Sequence, residues 1–166
     1  MIERLNHFEN IVMNKSAKVT AYWKKFCDSN SDIDPEAPYQ VWHFGDCRGL
    51  ADQLCELVLQ GRKTATACLV WEAELDPDTA PVQDVYNIIT DIDGNPKCII
   101  QTTEIRILAF NEVDEVFAAD EGEGDLSLEF WRRVHWDYFT RKCKEMDKVA
   151  SLTMSVMCER FKLVYP

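Results

Sequence analysis

The stretch Arg62-Lys63-Thr64-Ala65-Thr66 sets a lysine and two hydroxyls side by side, and about sixty residues later Glu121-Gly-Glu123-Gly-Asp125-Leu-Ser127 packs three carboxylates and a hydroxyl between glycines. A partly desolvated lysine loses proton affinity and can act as base or nucleophile, with threonine hydroxyls beside it to donate, accept or attack. The plainer reading is that Arg62 and Lys63 complement the negative end of the helix before them. The acidic stretch also divides. Carboxylates this close repel one another unless solvent, a cation or a lysine offsets the cost, and the spacing is not that of a calcium loop with ligands spread over twelve residues. Either Asp125 or Ser127 caps a following helix, or one glutamate meets Lys63. His7, His43 and His135 form no ligand set, and His43 reads as a packed or hydrogen-bonded strand residue. No G-x-S-x-G, H-E-x-x-H, phosphate loop or dinucleotide fingerprint is present, so neither a cofactor nor a metal is implied.

The elements around these residues follow from periodicity. Leu50, Leu54, Leu57 and Val58, widened by Ala51 and Cys55, predict an amphipathic helix over 46–60, with Asp46 as its cap and Gly61 at its left-handed end. Val19, Tyr22, Trp23 and Phe26 predict an earlier helix capped by Ser16, then a loop over 27–38. Strands are expected at 39–44, 64–71, 84–90 and 97–108, the last two joined as a hairpin by the turn at 91–96, with a final strand at 151–165. Between them, 112–120 reads as a short helix, and Ser127 caps a longer one whose apolar face is Phe130, Trp131, Val134 and Tyr138. Side chains alternate in a strand, so Lys63 and Thr66 converge only if 61–63 is a tight turn and the strand starts near Thr64.

Length and composition bound the rest. A chain of 166 residues suits one domain, with residues 1–38 forming a helix and loop packed on 39–166. Seven cysteines without a C-x-x-C pair indicate neither a disulfide framework nor a zinc site, which points to a reducing cytoplasm. No leader and no membrane span are read from the sequence. A net charge of −11 argues against a nonspecific nucleic-acid coat, although residues 130–166 carry eight basic and four acidic side chains. That local excess reads either as a positive face or as a solvated helix with mixed charges. Strands interspersed with helices predict an α+β domain on a small curved sheet or barrel.

Trp42-His-Phe44-Gly45-Asp46, Gly61-Arg-Lys63-Thr64-Ala-Thr66, and Glu121-Gly-Glu-Gly-Asp125-Leu-Ser127-Leu with Trp131-Arg132 together resemble the ASCH domain over residues 40–165. The resemblance implies a PUA-like fold: a small β-barrel of five to six mostly antiparallel strands flanked by helices, with a cleft that receives RNA or a modified nucleoside. Some related domains are binding modules, one small bacterial branch hydrolyses amides on acylated cytidine, and another is credited with cleaving RNA. Carried over from the amidohydrolase branch, the catalytic set falls on Lys63, Thr66 and Glu121, with Glu123 the alternative. Ser127 takes the place of the active hydroxyl in the RNA-cleaving branch. The motifs place Trp42, Phe44, Arg62, Thr64, Asp125, Trp131 and Arg132 as ligand-binding candidates. Where the small enzymes carry an arginine after the second threonine, this chain has Ala67-Cys68, so the same substrate does not follow.

Three readings result. The first is a hydrolase acting on RNA or a nucleoside, with Lys63 as base, Thr66 or Ser127 as nucleophile or oxyanion donor, and Glu121 or Glu123 orienting the lysine. The second is a noncatalytic module that stacks a base on Trp42, Trp71 or Trp131 and meets phosphate with Arg132, Arg133 and Lys63. The third is a protein-interaction domain, simplest as a homodimer, which a self-complementary apolar patch of more than about 1,000 Å² would mark.

Overall fold

The structure is a computed structural model and describes residues 16–166; His7 lies outside the described residues. Ser16 caps helix α1 (Ala17–Asp28), its hydroxyl accepting from the Val19 amide, and the 3.6-residue period turns Val19, Trp23 and Phe26 inward. Strand β1 (Tyr39–Trp42) leads into helix α2 (Arg48–Leu59). Asp46 does not cap this helix. Cys47 holds the N-cap position without a side-chain bond, because the Asp46 carboxylate is drawn to Arg141 at 2.8 Å.

Strand β2 (Ala65–Leu69) is shorter than its apolar run, since the chain turns into helix α3 (Val70–Leu75) where the Glu72 carboxylate accepts from the Leu69 amide at 3.0 Å. Strands β3 (Tyr86–Thr90) and β4 (Pro96–Ala109) form the expected hairpin, its turn held by the Asp91 carboxylate accepting from the amides of Asp93 and Asn95. The helix expected over 112–120 is split: a 3₁₀ turn (Phe110–Glu112) ends at extended Val113, and Asp114 caps α4 (Glu115–Asp120). Helix α5 (Leu128–Glu145) starts at Ser127, and strand β5 (Ser155–Tyr165) closes the chain. The inward row of α5 is Trp131, His135, Phe139 and Cys143 rather than one containing Val134, which is exposed. An interior histidine hid that i, i+4 repeat from an apolar count.

The five strands form one sheet in the order β1-β3-β4-β5-β2, antiparallel except for β1 with β3. Both faces are covered. Ile88 and Ile99 pack under α1, while the alternating Ile89, Cys98 and Ile100 pack with Phe161 under α2, which is why β3 and the start of β4 read as continuous apolar runs. Among the described residues the sheet is not closed into the expected barrel: β1 and β2 stand at its two edges, yet residues of both line one cleft of about 590 Å³. The sheet therefore curls toward closure without reaching it. Side chains of α3, α5 and residues 76–81 occupy the gap, and buried Gln40 ties that last segment to β1 by donating to the Asp78 and Ala80 carbonyls. Among the described residues no helix is long and apolar enough to cross a membrane.

Candidate functional site

Helix α2 ends in two crossed bonds, Arg62 N–H to the Leu57 carbonyl and Gly61 N–H to the Val58 carbonyl, with Gly61 at φ +69°. This Schellman turn needs the left-handed residue that glycine supplies, and it reverses the chain so that Lys63 points inward. Lys63 is 1% exposed. Its Nζ donates to Glu121 Oε2 at 2.9 Å and Glu123 Oε1 at 2.7 Å and lies 5.5 Å from the Phe44 ring centre. Glu121, equally buried, accepts on Oε1 from the Trp131 indole at 2.8 Å and faces His135 Nε2 at 3.3 Å. The turn carrying these carboxylates can approach only because Gly122, at φ +72°, has no Cβ; one would sit 2.3 Å from the Arg62 carbonyl oxygen.

The charges of this network shift one another's proton affinity. Burial alone would strip the proton from Lys63, but Glu121 and Glu123 outweigh it and hold the ammonium above the ordinary lysine value. Burial likewise opposes the Glu121 charge, and Lys63, His135 and the Trp131 bond reverse that, leaving its proton affinity well below the carboxylate range. Lys63 is thus a fixed cation. The two carboxylates that face Lys63 oppose the loss of the proton that a base would have to give up.

The cleft lies beside this network. Trp42, Phe44, Thr66, Cys68, Tyr138 and Glu159 line it, and neither Lys63, Glu121 nor Glu123 does. Thr66 on β2 and Glu159 on β5 are directly paired across strands, so their side chains share a face. The Thr66 hydroxyl has no hydrogen-bond partner among the described residues and is not sealed from solvent. Four carboxylates, Glu72, Asp76, Glu145 and Glu159, line the cleft against one ammonium, Lys142, itself paired with Glu145 at 2.9 Å.

Glu159 was not singled out by any motif, and it ends a row of polar side chains that crosses the sheet. The Trp42 indole donates to Asn87 Oδ1 at 2.8 Å, Asn87 Nδ2 approaches Thr102 Oγ1 at 3.1 Å, and the Thr102 hydroxyl bonds Glu159 Oε1 at 2.6 Å. These residues sit on β1, β3, β4 and β5 in the sheet's spatial order, and Thr66 follows on β2. Burial pushes the Glu159 carboxyl up to about 7 against the opposing pull of the Thr102 bond and Lys63. Sequence could have offered one signal: a lone glutamate inside the apolar run of β5, between Cys158 and Arg160.

The other candidates fall elsewhere. Trp131 is buried in the core at 2% exposure and presents no face to a base. The Ser127 hydroxyl caps α5 by accepting from the Phe130 amide at 3.1 Å, and Asp125 accepts from the Ser127 amide at 2.9 Å. Thr64 bonds the Asp120 carbonyl through both its amide and hydroxyl. Arg62 and Arg132 are exposed, the latter donating to the Asn111 carbonyl, and neither lines the cleft. Among the described residues no cluster of three or more potential ligands could hold a metal ion.

A mostly antiparallel sheet whose two edge strands among the described residues flank a cleft, with a lysine and glutamate network behind it, defines a small α+β domain. The family model for the ASCH domain matches residues 40–165, and the chain belongs to that family. Among solved structures it is similar to an ASCH domain from Lactobacillus crispatus, at 27% identity and TM-score 0.86 over 94% of this chain and 99% of that one. It is also similar to a protein from Enterococcus faecalis described under the family model DUF984, at 30% identity and TM-score 0.79 over 89% of this chain and 88% of the other. No curated protein matches.

Proposed function

We propose that the cleft binds a nucleoside-type ligand with an uncharged heterocycle and that the Thr66 hydroxyl acts on it, in the manner of an amide hydrolase. The observation that carries this is the lining itself: a hydroxyl with no partner among the described residues, beside aromatic Trp42 and Phe44, in a cleft where Glu72, Asp76 and Glu145 outnumber one paired ammonium. Aromatic walls suit a planar ring, and like charge disfavours a string of phosphates. A free nucleoside fits this balance better than an RNA strand. Lys63, paired behind the cleft, supplies fixed positive charge rather than a base.

The test offers cytidine, acylated cytidines and single-stranded RNA to the purified protein and to Thr66→Val. Nucleoside binding retained by both, with hydrolysis lost by at least a hundredfold in Thr66→Val, is expected. Binding of RNA alone, weakening steeply with salt, refutes the reading. A second reading keeps the ligand and drops the chemistry, favoured by the absence of a lysine base at the cleft; equal background turnover by both proteins selects it.

A further inference from the structure

The polar row across the sheet has a direction. An indole N–H can only donate, so Trp42 fixes Asn87 with its oxygen toward β1 and its amide nitrogen toward Thr102. That nitrogen also lies 3.2 Å from the Val85 carbonyl, an acceptor, which confirms its identity as donor. The Thr102 oxygen therefore accepts from Asn87 and has its own proton left to give, and the atom within reach is Glu159 Oε1 at 2.6 Å. Oε1 is an acceptor whether or not the carboxyl is ionised. Any proton on Glu159 must sit on Oε2. Among the described residues Oε2 has no hydrogen-bond partner, and it is not among the sealed, unpaired atoms of the interior, while its residue lines the cleft.

We propose that Glu159 is the specificity-determining residue of the cleft and meets the ligand as a neutral carboxylic acid, donating from Oε2 to the lone pair of a ring imine nitrogen on the heterocycle. This rests on the nucleoside reading above and narrows it to bases that present such a nitrogen on the Watson–Crick edge, N3 of cytosine or N1 of adenine. The surroundings favour the neutral form: Glu159 is 2% exposed, and Glu72, Asp76 and Glu145 line the same cleft. Of the other titratable groups facing it, Lys63 and Lys142 are paired cations, and burial leaves the Cys68 thiol, at about 12, and the Tyr138 phenol protonated at neutral pH. His43 also lines the cleft.

The row also dictates what glutamine would do in this place. With Thr102 donating to its oxygen, the Glu159→Gln amide must present Nε2 to the cleft, a permanent donor where the carboxylic acid is a conditional one.

Calorimetric titration of cytidine, 3-deazacytidine, adenosine and 1-deazaadenosine from pH 5.5 to 8.5 reads this directly. At pH 6 the parent nucleoside is expected to bind at least tenfold tighter than its deaza counterpart. Wild-type affinity should fall as pH rises through about 7, toward tenfold per pH unit. Glu159→Gln should hold the acid-pH affinity to pH 8, Glu159→Leu should lose it throughout, and His43→Gln should keep the wild-type profile. Equal binding of parent and deaza compounds overturns the proposal, as does a tenfold loss in Glu159→Gln at pH 6, which would mean a carboxylate accepting from the ligand. Failure of the wild type to bind any nucleoside overturns the underlying reading and this proposal together; nucleoside binding indifferent to Glu159 overturns this one alone.

Discussion

Replacing Lys63 with methionine tests the electrostatic reading of the buried network. The substitution keeps most of the aliphatic stem and removes the charge, leaving Glu121 at 1% exposure with its main counter-ion gone. Breaking a buried pair by deleting one partner costs about 3–5 kcal/mol, because the remaining charge stays desolvated. For a chain of this size each kcal/mol lowers the melting temperature by about 2–4 °C, so a fall of about 6–20 °C is expected.

The pH dependence carries the sharper information. In the wild type, Glu121 is held below its ordinary value, so its stabilising contribution is present above the unfolded value of about 4.3 and is lost as pH falls through the folded one. Without Lys63, burial is no longer offset and the Glu121 shift reverses, so the variant keeps stability in acid and loses it as pH rises. The penalty of Lys63→Met should therefore be largest near pH 7 and shrink toward pH 4. Thermal and urea melts across that range measure it. Adding Glu121→Gln, which still accepts from Trp131, should recover at least half the loss, a coupling that a double-mutant cycle reads. A penalty below about 1 kcal/mol at pH 7, or one constant from pH 4 to 8, would refute the fixed-cation account.

Three further outcomes can be measured by melts. Glu159, raised from 4.5 to about 7, contributes stability that is full below its unfolded value and lost as pH rises through the folded one, roughly 3 kcal/mol in all at 1.36 kcal/mol per pH unit. Glu159→Gln should flatten that decline, and an unchanged slope between pH 5 and 8 would count against a buried titrating carboxyl. Gly122→Ala places a Cβ against the Arg62 carbonyl in left-handed backbone and should cost at least about 2 kcal/mol, from the 1–2 kcal/mol of the conformation plus the clash; a neutral substitution would mean the acidic turn does not dock there. Ser127→Ala should cost about 1 kcal/mol as a lost helix cap, and no change in stability would show that the hydroxyl is not engaged with the Phe130 amide.

Much of the architecture could be read from local chemistry. The hairpin over Tyr86–Ala109 follows from its turn residues, and the Gly61 turn from an amphipathic helix that runs into a glycine. What escaped were properties set by distant partners. Asp46 has the right type and place for a cap, but an arginine ninety-five positions away claims it. Val134 suits an apolar face better than His135 on composition, yet the histidine is the interior residue because it stacks on Trp131 and faces Glu121. For Lys63 the pairing with a glutamate of the acidic turn was legible, but not that both carboxylates would meet it.

The same distinction separates the two halves of the candidate site. Lys63, Glu121 and Glu123 are spaced by turns and glycines, so they stand out as a pattern, and in the fold they form a largely buried ion-pair network that docks the acidic turn against the Gly61 turn. Glu159 carries no local pattern because its environment comes from Trp42, Asn87 and Thr102 on three other strands. A carboxyl inside a curled sheet is costly unless its partners are fixed. Here one oxygen is fixed, the other has no hydrogen-bond partner among the described residues, and the residue lines the cleft. The two halves are not independent, since the Lys63 charge also pulls down the proton affinity of Glu159. Loss of activity on substituting Lys63 therefore does not by itself make that lysine the reacting group; comparing the pH profile of the variant with that of the wild type separates a residue that touches the ligand from one that sets the charge of the residue that does.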